Sequence, residues 1–373
     1  MPRGPLVSIL MNSRNAPDYL VPAVRSVLWQ TWDDLELVVC EASDDDEGVR
    51  ILERFADPRL IIVRDTDRRG WAHGINMAAA HARGEMVLFC AGDDLFHPRA
   101  VERMVAHLLS SSAGTVVMPV RGIDGDGVPL GRSITIPEHV RREPTWVRLF
   151  ERNYIVVALS RREVLPTPLI DESIEGVGGD WDLWLRLVLR KSGFTYLDEC
   201  LFDYRVHERS LVATEANTRG DMRAVLDRLG LAAIRDAYET SGLDSETKEE
   251  GLANVAITMR DYAAALHYWA RRADSSRDIR AAAQTGALSV LLDDLAQAES
   301  ALRRAATPGA MPEAWNNLGV VLERKGKTFE AEACFREALR QFPLYQDAQR
   351  NLAGERPLLV TERLLRPVDE ILR

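Results

Sequence analysis

The chain of 373 residues is 46% hydrophobic and 28% charged. This ordinary globular composition excludes a wholly disordered or collagen-like protein and predicts two or three domains at roughly 100–200 residues each. A formal net charge of -10 argues against nucleic acid as a partner, since neutralising phosphates needs a basic face. It reads instead as solubility. No apolar run approaches the ~18 residues that span a bilayer, and no apolar leader follows Met1, so a cytoplasmic protein without a transmembrane segment is expected.

In chain order, Leu6–Met11 reads as a buried strand, followed by a helix over 19–30 with Leu20, Val24, Val27 and Leu28 on one face. Leu35–Cys40 and Arg59–Val63 read as strands, 73–83 as an alanine-rich helix and Met86–Cys90 as a fourth strand. A helix is expected after Pro98 and a strand over 115–120. This alternation predicts an α/β fold, a mostly parallel sheet with helices on both faces and a ligand site at the strands' carboxyl ends. Ile123–Gly127 reads as a turn between hairpin strands, Asp180–Lys191 as a helix, and Phe194–Val206 as two short strands.

From Asp221 strand patterns vanish and a repeat near ~34 residues emerges. The copy starting at Pro312 sets Trp315, Leu318, Gly319, Ala331, Phe335, Ala338 and Pro343 at the spacings of a tetratricopeptide repeat. Weaker copies start near Ile279 (Gly286, Ala298, Leu302, Ala305) and Leu243 (Gly251, Ala263, Ala270). Trp269 and Tyr268 read as core, and Gln346–Leu352 and Leu358–Arg373 as capping helices, because a terminal repeat needs cover for its apolar face. The expected organisation is 1–215, an α/β domain; 216–242, a helical linker; and 243–373, an all-α repeat domain. Cys40, Cys90, Cys200 and Cys334 form no C-x-x-C pair and read as small buried hydrophobes of a reducing compartment.

The strongest chemical signal is Cys90-Ala-Gly-Asp93-Asp94-Leu-Phe-His97-Pro98. Two acids at the carboxyl end of an apolar strand suit a hard divalent cation. The same residues also suit a helix cap beside a solvated acid. Context comes from Val7–Leu20, Ala23–Trp32, Leu35–Glu41, the acid pair, Gly178–Arg186 and Tyr204–Ser210. In this order they resemble family 2 glycosyltransferases of the GT-A fold, over roughly residues 5–215.

That resemblance implies a metal-dependent, inverting transfer from a nucleotide-sugar donor, foremost a UDP-linked one, to a hydroxyl of a glycan or protein acceptor. Asn12 and Glu41 match positions lining the nucleoside pocket. Asp93 would contact the ribose or the metal, Asp94 would ligate Mn²⁺ or Mg²⁺, and His207 would lie near the diphosphate or metal. Arg205 would serve the diphosphate. Asn76, with Arg68, Arg69 and Trp71, lies where the family orders a loop over the donor. Asp180 matches the general base, with Asp182 the runner-up.

Each residue has a plainer role open to it: a helix cap for Asp180, a structural residue for His207, a surface ion pair for Arg205. Ala42 and Gly179 depart from the family pattern by replacing acids, and Asp44–Asp46 reads as a solvated loop and helix cap. The repeats would hold the acceptor, a protein partner or a second copy, or only stabilise the chain. The rival reading is a silent transferase-like domain in a protein-binding scaffold. A nucleotidyltransferase is disfavoured because Asn12-Ser-Arg-Asn15 stands where an activating glycine-rich loop would follow the first strand.

Overall fold

The computed structural model describes residues 4–174, 178–208, 210, 218–275, 278–307, 309, 311–358, 360, 361 and 365. They fall into two compact units, 1–228 and 229–373.

In the first unit β1 (Val7–Ser13), β2 (Leu35–Glu41), β3 (Leu60–Arg64) and β4 (Met86–Ala91) are mutually parallel, in the order β4-β1-β2-β3. β2 is buried along its whole length. Such strands are largely apolar on both faces, and in β2 the exceptions are Glu36 and Glu41. Helices α1 (Pro17–Leu28), α2 (Glu47–Leu52), α3 (Trp71–His81) and α4 (Ala100–Leu109) connect and flank them, with β5 (Leu95–Phe96) ahead of α4. Leu20, Val24 and Val27 of α1 and Met104, Val105 and Leu108 of α4 share one apolar core with the strands. That core comes from residues at helical spacing.

The expected strand over 115–120 divides into β6 (Thr115–Val117) and β7 (Val120–Ile123), which belong to different sheets. Pro119 stands between them and has no N–H with which to continue a ladder. β7 pairs with β8 (Pro129–Ile134) as the expected hairpin, followed by the short helix α5 (Glu138–Arg141). β9 (Ala158–Arg161), which sequence reading did not find, runs antiparallel between β4 and β6. Helix α6 (Gly179–Leu189), β10 (Phe194–Tyr196) and β11 (Phe202–Arg205) complete the unit. The larger sheet has the order β10-β6-β9-β4-β1-β2-β3, the smaller β5-β11-β7-β8.

The second unit pairs successive helices: Ser245–Thr258 with Tyr262–Ser275, Ile279–Leu291 with Leu295–Ala305, and Pro312–Arg324 with Thr328–Gln341. Asp244, Asp278 and Asp294 cap three of these helices through their side chains, accepting the orphan N–H groups of the first turn. A Cβ at Gly319 would lie 2.5 Å from the Phe335 ring, and one at Gly286 would lie 2.4 Å from Leu302. Only glycine therefore allows each pair its close approach. Trp269 is fully buried, as expected of a core residue.

Gln346–Leu352 is helical, but Leu358, Val360 and Thr361 are not. Thr361 and Leu365 are instead buried in the unit's interior. The rest of the expected second capping helix lies outside the described residues. No helix among the described residues is long and apolar enough to cross a membrane. Cys40, Cys90 and Cys334 are buried and Cys200 is exposed; none is paired.

Candidate active site

The two ends of the parallel strands treat polar groups differently. At the amino end the buried Glu36 accepts from Ser8 Oγ at 2.7 Å and from the Arg83 backbone and guanidinium at 2.5–3.0 Å. At the carboxyl end three polar atoms are buried without a partner: Asn12 Nδ2, Glu41 Oε2 and Asp65 Oδ2. Native interiors seldom leave such atoms unmatched. Asn12 is the penultimate residue of β1, Glu41 ends β2 and Asp65 follows β3. Backbone bonds Ala42 N to Ser13 O (2.9 Å) and Asp65 N to Glu41 O (2.9 Å) hold the three strand ends in register. Helix α3 closes over them: a Cβ at Gly74 would fall 2.0 Å from Asn12 Nδ2.

Asp65 is a functional candidate that sequence reading missed. Its other oxygen accepts the backbone N–H groups of Asp67 and Arg68 at 3.0 and 2.9 Å. The signal was available, since Asp65 stands to its strand much as Glu41 stands to β2.

Beyond β4 the chain turns through Gly92, whose N–H reaches Asn12 O at 3.0 Å. The adjacent acids then diverge. Asp93 is partly exposed, and its Oδ2 lies 2.8 Å from His207 Nε2. Asp94 is buried and accepts the Arg205 N–H at 3.0 Å. Burial, reinforced by the neighbouring Asp93 charge, pushes Asp94 well above the usual carboxylate range. Arg205 is also buried. It donates to the carbonyls of Asp93 (2.8 Å), Asp124 (3.0 Å) and Gly125 (2.9 Å) and lies over the Tyr19 ring at 4.8 Å. Tyr19 and His207 pack at a centroid distance of 4.7 Å.

Asp180 sits in the first turn of α6, behind the capping residue Gly178, so it is not itself the cap. Its oxygens accept from Asn153 Nδ2 at 3.1 Å and Trp181 N at 2.7 Å. Burial outweighs these bonds and pushes its pKa up to about 6. Asp182 faces the interior, 2.6 Å from Arg186 Nε. The Tyr204 phenol is pushed up by burial and then by the charges of Asp94, Asp93 and Asp180. The strand β4 behind the turn is braced by Phe89, stacked on Trp184 at 5.5 Å and edge-on to Trp71 at 5.9 Å.

Asn76 clamps a neighbouring loop, bonding Ile170 O (2.8 Å), Ile170 N (2.9 Å) and Glu172 Oε1 (3.0 Å). Arg69 and His73 grip the same Glu172 at 2.6 and 3.1 Å. Arg68 donates to Asp44 O at 3.2 Å. Asp44 is tied to Asn15 at 2.8 Å, and Asp46 precedes α2 without a side-chain cap bond. Among the described residues, no group of three or more His, Cys, Asp and Glu side chains is arranged to hold a metal ion.

Residues 8–165 match the model of glycosyl transferase family 2, and residues 312–345 match that of the tetratricopeptide repeat. The N-terminal unit thus carries a domain of the glycosyl transferase family 2 type. It is 28% identical over 217 residues to the putative teichuronic acid biosynthesis glycosyltransferase TuaG of Bacillus subtilis, covering 56% of this chain and 81% of that protein. It is 25% identical over 232 residues to the Escherichia coli UDP-Glc:alpha-D-GlcNAc-diphosphoundecaprenol beta-1,3-glucosyltransferase WfaP, covering 61% and 88%. Among solved structures, S. aureus TarS 1–349 in complex with UDP-GlcNAc superposes with a TM-score of 0.53 at 15% identity, over 91% of this chain and 93% of that one. The glycosyltransferase thus has a GT-A type α/β unit followed by an all-helical region with a tetratricopeptide repeat.

Proposed function

We propose that this glycosyltransferase moves a sugar, with inversion, from a UDP-linked donor bound over the carboxyl ends of β1–β4 to a hydroxyl of a glycan or protein acceptor. The observation that carries this reading is the Asp93–His207 pair beyond the carboxyl end of β4, together with the Asp180 carboxyl held by Asn153 and the Trp181 N–H. The UDP-Glc donor of WfaP and the UDP-GlcNAc of the TarS complex support the choice of nucleotide.

In this reading Asn12 Nδ2 donates to the nucleoside, while Glu41 Oε2 and Asp65 Oδ2 accept from it; all three are buried and otherwise unpartnered. A carboxylate and an imidazole at Asp93 and His207 fit Mn²⁺ or Mg²⁺ as two protein donors. Such ions commonly take the rest of their shell from substrate phosphates and water. The bound cation would supply charge stabilisation for the departing diphosphate. Asp94 lies beneath and fixes the turn through the Arg205 N–H. Arg205, spent on three carbonyls, acts as a positioning residue and not as a diphosphate ligand. Asn76 likewise acts on the 170–172 loop.

Asp180 takes the proton of the attacking hydroxyl. A pKa raised to about 6 leaves it ionised at neutral pH yet more basic than an ordinary carboxylate. Asn153 and the Trp181 N–H fix the carboxyl group. The repeats recruit the acceptor or a protein partner. Turnover of UDP-sugars with Mn²⁺, read as UDP release with acceptor present, tests the assignment. Asp180→Asn should lower kcat by about 10²–10⁴ with donor affinity unchanged. Unchanged turnover removes Asp180 from the role of base. A wild-type protein that binds no UDP-sugar contradicts the whole reading.

A further inference from the structure

The helical unit holds a stretch of its own chain in a manner suited to recognising a peptide. Asn317 is fully buried on the helix Pro312–Arg324. Its side-chain amide closes a two-way pair with the main chain of one residue, accepting from Thr361 N at 2.8 Å and donating to Thr361 O at 3.4 Å. Such a pair reads main chain, whatever the side chain.

The Thr361 side chain is read separately. A hydroxyl has one donor and two acceptor sites. Thr361 Oγ1 donates to Asp347 Oδ2 at 2.9 Å and accepts from Asn316 Nδ2 at 3.1 Å and from the Tyr345 hydroxyl. Asn351 Nδ2 in turn fixes Asn316 Oδ1 at 2.9 Å. Around the hydroxyl, Leu358 and Val360 pack against the apolar cluster of Leu318, Val321 and Phe335. Leu365 is buried with Ala281, Leu288 and Ala314.

The preceding repeat carries the same device without an occupant's bond. Gln284 stands two residues before Gly286, as Asn317 stands two residues before Gly319. It is 2% exposed, and its Oε1 has no hydrogen-bond partner.

We infer that the repeats form a groove for an extended peptide with an aliphatic residue followed by threonine, and that the chain's own Val360-Thr361 segment occupies it as a competitor that a partner protein's segment must displace. The inference concerns the helical unit alone and stands whether or not the N-terminal unit transfers sugar.

The probe is a fluorescein-labelled synthetic peptide of the sequence 356–366, titrated against the full chain by fluorescence polarisation. A tethered competitor acts at an effective concentration in the millimolar range, so wild type should bind the peptide weakly. Thr361→Asp sets a second charge beside Asp347 and should eject the tether, tightening peptide binding at least about tenfold. Adding Asn317→Ala to that variant should abolish binding, as should a peptide with valine at the threonine position. The proposal fails if Thr361→Asp keeps wild-type helicity yet binds no better.

A second measurement covers a variant that does not fold. Saturating peptide should speed trypsin cleavage of the wild-type C-terminal segment, and unchanged cleavage overturns the proposal. A wild-type dimer dissolved by Thr361→Asp would assign the groove to a second copy and also overturn it.

Discussion

In the N-terminal unit Asn12 Nδ2, Glu41 Oε2 and Asp65 Oδ2 lie buried and unpaired at three adjacent strand ends. In the helical unit the buried Asn316, Asn317 and Asn351 close onto one another and onto Thr361. The contrast follows from the elements. A parallel strand covered on both faces has no room for polar side chains except at its ends, so chemistry gathers in one small place. A stack of helix pairs repeats the same inward position every turn of the pattern, so polarity spreads along a face. The first arrangement suits a compact, multiply charged ligand; the second suits an extended one.

Calorimetry that resolves the two units would sharpen this contrast, because each substitution below belongs to one unit only. The largest effect is expected at Asp180. Its folded pKa of about 6 lies above the ordinary 3.8, so the native state binds the proton more tightly than the unfolded chain. The resulting stabilisation is full below about pH 4 and lost as pH rises through 6. Asp180→Asn should therefore stabilise the first unit by up to about 3 kcal/mol at pH 8 relative to wild type, and by little at pH 4. The same variant should keep only the strongly reduced turnover stated above, and wild-type turnover should climb as pH rises through 6. Equal melting temperatures of the two proteins at pH 8 would contradict the burial of that charge.

Arg205→Lys comes next. Lysine keeps the charge but lacks the planar fork that spans the Asp93, Asp124 and Gly125 carbonyls. A loss of about 1.5–3 kcal/mol from the first unit is expected, the scale of hydrogen bonds to a charged group. An arginine that gripped the diphosphate would behave otherwise, with stability retained and donor affinity lost. The smallest effect belongs to the second unit: Gly319→Ala drives a methyl to 2.5 Å from the Phe335 ring. Overpacking of this kind should cost about 1–2 kcal/mol and lower only the second transition.

Much of this was legible in the residues. Continuous apolar runs marked β1, β2 and β4, and helical spacing marked α1 and α4, because burial on two faces or on one stripe leaves a plain pattern. The acid pair at Asp93 could be singled out from its place after an apolar strand, whereas Asn12, Glu41 and Asp180 could be singled out through the resemblance of the ordered motifs to family 2 glycosyltransferases. Other features depended on tertiary geometry. Nothing local to Ala158–Arg161 distinguishes an antiparallel insertion in a parallel sheet, and Asn153 lies in irregular chain.

The division of labour between Asp93 and Asp94 could not be read either. One turn exposes the first and buries the second. Arg205 matched a phosphate ligand by type, yet its neighbours turn it to backbone carbonyls. At the start of the expected C-terminal helix, Leu358, Val360 and Thr361 are not helical, and Val360 and Thr361 find partners on the repeats instead.

The most direct measurement is thermal stabilisation of the first unit by UDP, with and without Mn²⁺, in wild type and in Asp93→Ala, His207→Ala and Asp180→Asn. At a hundredfold excess over Kd, binding should stabilise wild type and Asp180→Asn by about 2.7 kcal/mol, in Mn²⁺ only. Asp93→Ala and His207→Ala should show no such shift. A UDP shift that persists in chelator, or survives both of those replacements, would contradict a cation held between Asp93 and His207.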